Sequence, residues 1–312
     1  MPDATQTGQA FHTPMPVLPS FDYVRPATPQ QVARLLRASN GQARLFMGGT
    51  DVFVRMRDGF IAPKVLVDVK HLPGMREVKF TKRNGLVVGA AVDMNSLARH
   101  PAVVEHYPVL ADALHSVASY QLRTRGTMGG NLCNASPAAD TAPAALVLEA
   151  NMIVQGRRGE YPIPITAFFL GHGKTALKPG EFLLRIEIPP APKGAVSRYT
   201  KLGRNVLGDL AIVGVAVLGY PDKKAQSGYR FRIALASVAP IPIRVPEAEA
   251  ILAASPITSD VVEAAATAAM ETARPIDDVR SSAVYRKAMV KNVTRRAVTA
   301  VASKLHDAER NT

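Results

Sequence analysis

The sequence predicts an α+β protein built from two domains, and three observations carry that reading. A chain of 312 residues has room for two separate hydrophobic cores. Pro189-Pro190-Ala191-Pro192 interrupts the pattern where a strand has just ended, which places a domain boundary there. Beyond that break a run of strands is followed by helices, the order of an α+β domain and not of alternating βα units.

The elements follow in chain order. Residues 1–16 are polar and proline-rich and are expected to form a flexible arm. With no basic head and no apolar run, they do not resemble a secretory signal. Thr28-Pro29-Gln30-Gln31 sets a capping threonine before a proline at the first helical position, with glutamine at the third. This capping box leads into Val32, Leu35 and Leu36, and Asn40-Gly41 ends the helix. A strand from Ala43 to Met47 runs straight into Gly48-Gly49-Thr50-Asp51. Val65 to Val69 and Leu86 to Gly89 read as further strands. Leu110, Leu114 and Val117 share one face of a helix from Pro108 to Ser119. Arg123 to Asp140 has no periodicity and reads as a long loop, ending where an apolar helix, Thr141 to Ala150, begins. Met152 to Gln155 and Phe182 to Ile188 read as strands. After the proline break come strands at Ser197 to Leu202, Ala211 to Leu218 and Tyr229 to Ala236. Helices at Asp260 to Thr272 and Ser282 to about Lys304 follow.

Composition narrows the function. Hydrophobic residues make up 47% of the chain and charged residues 20%, the balance of an ordinary globular protein. No apolar stretch is long enough to span a membrane. The chain has a single cysteine, Cys133, so it forms no internal disulfide and a cytoplasmic location is expected. One thiolate also cannot hold an iron–sulfur cluster, which needs several. The net charge of +13 is spread along the chain and is densest in the last helix, at Arg286, Lys287, Lys291, Arg295 and Arg296. Without aromatic interleaving it points less to nucleic acid than to a dianionic cofactor or an acidic partner.

Two glycine-rich segments carry the chemistry. In Leu45-Phe46-Met47-Gly48-Gly49-Thr50-Asp51-Val52 a strand ends in paired glycines, which let backbone N–H groups approach a ligand and form an anion-binding concavity. By itself this is more often a plain turn. From Arg125 to Asp140 small and hydrogen-bonding residues continue for sixteen positions, more than a structural loop needs. Together the two could clamp a pyrophosphate with neutral donors and no lysine. Asp140 could accept hydrogen bonds from a ribose or adenine, or cap the helix that follows it. Gly171-His172-Gly173-Lys174-Thr175 ends like a P-loop, but that motif's first glycine falls on Phe168. His71, His100, His106 and His115 lack metal-ligand spacing.

These segments, in this order, resemble the FAD subunit or domain of the xanthine dehydrogenase and carbon monoxide dehydrogenase family of molybdenum hydroxylases. The family's Thr-x-Gly-Gly-Asn-Leu-x-Asn-Ala-Ser-Pro-x-x-Asp-x-x-Pro signature reads from Thr127 to Pro143. Further matches lie at Gly180 to Leu184, Ile186 to Pro189, Tyr199 to Lys201, Asp209 to Ala211 and Asp278 to Arg286. The resemblance covers about residues 17–305. It implies an FAD-binding domain of vanillyl-alcohol-oxidase type over 17–190, in subdomains of about 17–70 and 71–190, and a smaller α+β domain over 195–305. It implies that Leu45, Phe46, Met47, Gly48, Gly49, Thr50, Asp51 and Val52 line the pyrophosphate and adenosine. Thr127, Gly129, Gly130, Asn131 and Ser136 would complete the phosphate cradle, Asp140 would hold the adenosine portion, and Leu183 and Lys201 would lie by the isoalloxazine. A cation there would favour the reduced, anionic flavin.

The lone cysteine departs from the branch whose flavoprotein carries a 4Fe–4S insertion. No histidine lies between Leu45 and Asp51, so a covalent flavin link is not expected. The resemblance thus implies an electron-transfer subunit with non-covalent FAD. Its partners would be a 2Fe–2S small subunit and a molybdopterin-binding large subunit, and its acceptor NAD⁺, a quinone or another oxidant. A free-standing FAD-dependent oxidase is the alternative.

Overall fold

The computed structural model describes residues 17–205 and 208–310, so the expected N-terminal arm lies outside the described residues. The first elements build a small parallel sheet. β1 (Asp22–Val24) and β2 (Ala43–Phe46) flank β3 (Val65–Asp68), with α1 (Pro29–Ala38) and α2 (Val52–Arg57) as crossovers. The capping box forms as the sequence indicates. Thr28 Oγ1 accepts the Gln31 N–H at 3.2 Å, and Gln31 Oε1 reaches back to the N–H of Ala27 at 2.7 Å.

β4 (Val78–Thr81) and β5 (Gly85–Gly89) open a second, antiparallel sheet. Six helices follow them: α3 (Met94–Ala98), α4 (Pro101–His106), α5 (Pro108–Ser116), α6 (Tyr120–Arg123), α7 (Met128–Asn134) and α8 (Thr141–Val147). β6 (Asn151–Gly156), β7 (Gly159–Pro164), the small pair β8 (Phe169–Gly171) and β9 (Lys174–Thr175), and β10 (Phe182–Ile188) complete this part. The large sheet has the order β4-β5-β10-β6-β7.

Two predicted helices stop early because the chain turns into left-handed backbone. Ala118 (φ 42°) keeps α5 from reaching Ser119, and Glu149 (φ 55°) keeps α8 from reaching Ala150. The segment from Arg123 to Asp140 is not one loop. Its centre is α7, started by the Thr127 hydroxyl accepting the Gly130 N–H at 2.9 Å and ended by Ala135 at φ 49°. Glycines at the second and third helical positions hide that helix from any propensity argument.

Past the prolines, β11 (Val196–Leu202), β12 (Val213–Pro221), β13 (Tyr229–Ala236) and β14 (Ile243–Arg244) form an antiparallel sheet in sequence order. α9 (Pro246–Ala254), α10 (Ser259–Thr272) and α11 (Ala283–Arg310) follow. β12 is a continuous apolar run because both faces are buried. Val213, Val215 and Val217 face the core beneath α9, α10 and α11, while Ala216 and Leu218 join the core of the first part. The two parts are therefore packed through α5 and α8. Ser197 Oγ accepts the Val109 N–H at 3.2 Å, and Arg232 donates to the Val147 carbonyl at 3.2 Å.

The basic cluster assigned to the last helix is partly internal. Arg286 is fully buried and donates to Asp278 and to the Ser237 carbonyl, while Lys291 and Arg295 both reach Glu263. That leaves less free positive charge on this helix than the sequence implied.

Candidate functional site

The two glycine-rich segments meet. A Cβ on Gly48 would overlap the carbonyl of Arg125, so the first turn lies directly on the second segment. Asn134 Nδ2 donates to Asp51 Oδ1 at 3.2 Å, closing the contact from the other end. Gly49 stands at φ 75°, the left-handed conformation that turns β2 into α2. Gly129 packs α7 onto the end of β5, where an added Cβ would come within 2.8 Å of Ala90 Cα. Gly130 is freer: the Thr127 hydroxyl, at 2.9 Å, is the one atom near its would-be Cβ.

Beside this junction lies a cleft of about 800 Å³, within the size range of cofactor sites. Its lining includes Phe46, Met47, Gly48, Gly49 and Thr50 with Tyr23, Phe53 and Lys70. Arg76, Val92, His100, Arg125 and Thr127 line it as well. The aromatic rings pack edge to face, Phe46 at 5.4 Å from Phe53 and 6.1 Å from Tyr23. Lys70, Arg76 and Arg125 add three cationic residues to this lining. Arg125 opens the second glycine-rich segment, whereas Lys70 and Arg76 belong to no local motif and are gathered only by the fold.

The other expected residues fall in four places. Leu45 and Val52 are half-buried at the ends of β2 and α2, and Asp51 is exposed at the turn. Asn131 Oδ1 accepts the Thr141 hydroxyl at 2.6 Å, and Ser136 Oγ accepts the Ala138 N–H at 3.2 Å. Leu183 is buried in β10 at a bulge.

Asp140 and Lys201 form the fourth group, away from the cleft lining. Asp140 Oδ2 lies 2.9 Å from Lys201 Nζ, and Oδ1 accepts the Tyr199 hydroxyl at 2.7 Å. Lys201 also donates to the Ser116 carbonyl at 2.8 Å. Burial pushes the Asp140 carboxyl above its ordinary value despite the opposing pull of Lys201 and the Tyr199 hydrogen bond. Burial, and then the Asp140 charge, raise the Tyr199 phenol well above its own. The Asp140 side chain makes no helix-cap hydrogen bond, because both oxygens are held from β11. The two residues that the resemblance sets at different parts of the cofactor thus stand side by side.

The cleft suits FAD by its own chemistry: its lining combines glycines that leave space, aromatic rings, and cations that supply counter-charge for a diphosphate. The profile for the FAD binding domain in molybdopterin dehydrogenase matches residues 19–191, and that for the CO dehydrogenase flavoprotein C-terminal domain matches 197–301. The carbon monoxide dehydrogenase medium chain of Hydrogenophaga pseudoflava is 32% identical, over 90% of this chain and 97% of its own length. A putative xanthine dehydrogenase FAD-binding subunit of Escherichia coli is also 32% identical, over 89% of this chain and 94% of its own. The structure of carbon monoxide dehydrogenase from Hydrogenophaga pseudoflava superposes with a TM-score of 0.87 at 32% identity, covering 92% of this chain and 99% of that one. The α+β architecture in two domains, the glycine-lined cleft and these likenesses place the chain in one family: it is an FAD-binding flavoprotein subunit of the molybdopterin dehydrogenases, the oxidoreductase family of carbon monoxide and xanthine dehydrogenases.

Proposed function

We propose that this chain is the electron-transfer subunit of a three-subunit molybdenum hydroxylase. It takes electrons from 2Fe–2S clusters on a small partner subunit and passes them to an external acceptor such as NAD⁺ or a quinone. The molybdenum cofactor and the substrate site belong to the large partner. The observation that carries this reading is the pairing of a glycine-lined cofactor cleft with a chain that has a single cysteine and so cannot hold an iron–sulfur centre of its own. When bound, FAD supplies the exchange between one-electron and two-electron carriers.

Leu45 to Val52, with Thr127, Gly129, Gly130, Asn131 and Ser136, line the diphosphate and adenosine. Leu183 and Lys201 stand at the isoalloxazine end, and Asp140, bonded to Lys201, belongs with them and not with the adenosine. The FAD-binding domain is assigned to residues 17–190, dividing near residue 70, and the C-terminal domain to 195–305. A cytoplasmic site of action agrees with the single cysteine and with the lack, among the described residues, of a helix long and apolar enough to cross a membrane.

Affinity capture of the tagged chain from its native cells tests the reading. Co-purification of molybdenum and iron in fixed ratio to flavin, with the flavin released by acid, is the expected result. A flavoprotein that comes down alone, or flavin that stays on the precipitate, contradicts it.

A further inference from the structure

We propose that Arg286 is a positioning residue for the cofactor: it holds Ser237 in a left-handed backbone, and Ser237 fixes the loop between α7 and α8. The inference rests on reading the segment from Thr127 to Asp140 as part of the FAD site. That loop is pinned from outside at three points. The Ala135 carbonyl accepts the Gly173 N–H at 3.0 Å, and Tyr199 and Lys201 hold Asp140. The Pro137 carbonyl accepts the Ser237 N–H at 2.7 Å. Two of the three points thus come from the C-terminal domain. Pro137 directly follows Ser136, so the Ser237 bond sets where that part of the cradle stands.

Ser237 follows β13 at φ 68°, a conformation that disfavours residues other than glycine. Its hydroxyl is buried and makes no hydrogen bond among the described residues, so the side chain offers nothing in return. The surroundings hold the backbone there instead. Arg286 Nη1 donates to the Ser237 carbonyl at 2.8 Å, and the Arg274 N–H donates to the next carbonyl, that of Val238, at 2.7 Å. Arg286 is 1% exposed, and its Nη2 donates to Asp278 Oδ1 at 2.5 Å. Asp278 is itself fixed by the Arg280 backbone N–H at 2.8 Å and by Arg280 Nε at 3.0 Å. A planar guanidinium suits this place because its two arms reach different acceptors at once. Strained backbone persists only where its surroundings over-determine it, and here the strain borders a ligand loop.

The test measures FAD affinity and denaturant stability side by side on the full-length chain freed of flavin. Arg286→Met, folded by circular dichroism, should bind FAD roughly tenfold more weakly, the equilibrium factor of a hydrogen bond from a charged donor. Glycine takes positive φ without that support. Ser237→Gly/Arg286→Met should therefore recover most of the FAD affinity while keeping the stability loss of the broken ion pair. A residue that served only the fold would lose and regain both together. In the wild-type chain, FAD should slow hydrogen exchange at the Ser237 amide severalfold, because the coupling of loop and cofactor is reciprocal. That measurement keeps the test open if the methionine variant does not fold. Unchanged FAD affinity in folded Arg286→Met, no recovery by Ser237→Gly, or exchange at Ser237 indifferent to FAD overturns the assignment while leaving the FAD site standing. A wild-type chain that binds no FAD removes the FAD reading itself.

Discussion

Asp140 and Lys201, 61 positions apart in the chain, meet at 2.9 Å in the interior and tie the loop before α8 to β11. Their side chains are 6% and 12% exposed, so water does little to screen the pair. Removing one partner strands a buried charge. Lys201→Met should therefore cost about 3–5 kcal/mol of unfolding free energy. Denaturant titration checks this, and the double variant Asp140→Asn/Lys201→Met should lose less than the sum of the two single changes. A Lys201→Met chain with the wild-type midpoint would show that the contact carries no stability.

The Tyr199 hydroxyl reaches Asp140 because Gly214, opposite Lys201 on β12, has no side chain. A Cβ there would overlap the hydroxyl oxygen. Gly214→Ala should destabilise by about 1–3 kcal/mol, the range for an overfilled core. Combined with Tyr199→Phe it should cost much less than the sum, since the clashing oxygen is gone. Strict additivity in thermal melts would argue against this steric coupling.

Gly48 and Gly130 separate fold from cofactor retention. Gly48→Ala collides with the Arg125 backbone and should lower stability and FAD content together. Gly130→Val meets the Thr127 hydroxyl and little else within the protein. It should keep the wild-type circular dichroism and most of its melting temperature while losing flavin absorbance. Retention of FAD at wild-type affinity in Gly130→Val would remove α7 from the cradle.

Acid sensitivity should trace in part to Asp278. Burial opposes its ionisation, but hydrogen bonds from Arg280 and Arg286 outweigh this and hold the carboxyl well below its ordinary range. A carboxyl with a depressed folded pKa contributes stability above its unfolded value, near ~4, and loses it as pH falls further. Asp278→Asn should lower the melting temperature at neutral pH and flatten its decline in acid. An unchanged acid slope would show that the arginine contacts do not govern it.

What the sequence discloses is what is local. β10 and β13 carry the predicted limits, because apolar strands bounded by turns announce themselves. α1 is legible from its capping box. α7 is not, since two glycines lie in its first turn and its stability comes from the Thr127 cap and packing on Ala90. α2 and α9 went unread because each is short and weakly patterned. At the site, the glycines are visible as a motif, but Tyr23, Lys70 and Arg76 reach the cleft from separate segments. The bond between Asp140 and Lys201 likewise depends on how β11 docks against α5, which no local pattern encodes.

The central claim is that electrons reach this chain's FAD from a partner. Anaerobic stopped-flow spectroscopy on the purified chain, with and without its molybdenum and 2Fe–2S subunits, measures this directly. Alone, the chain's flavin should bleach with dithionite and remain oxidised in the presence of the complex's substrate. With both partners added, substrate should bleach it at a rate matching turnover. Substrate-driven bleaching or oxygen consumption by the isolated chain would contradict the account and make the protein a self-sufficient flavin oxidase.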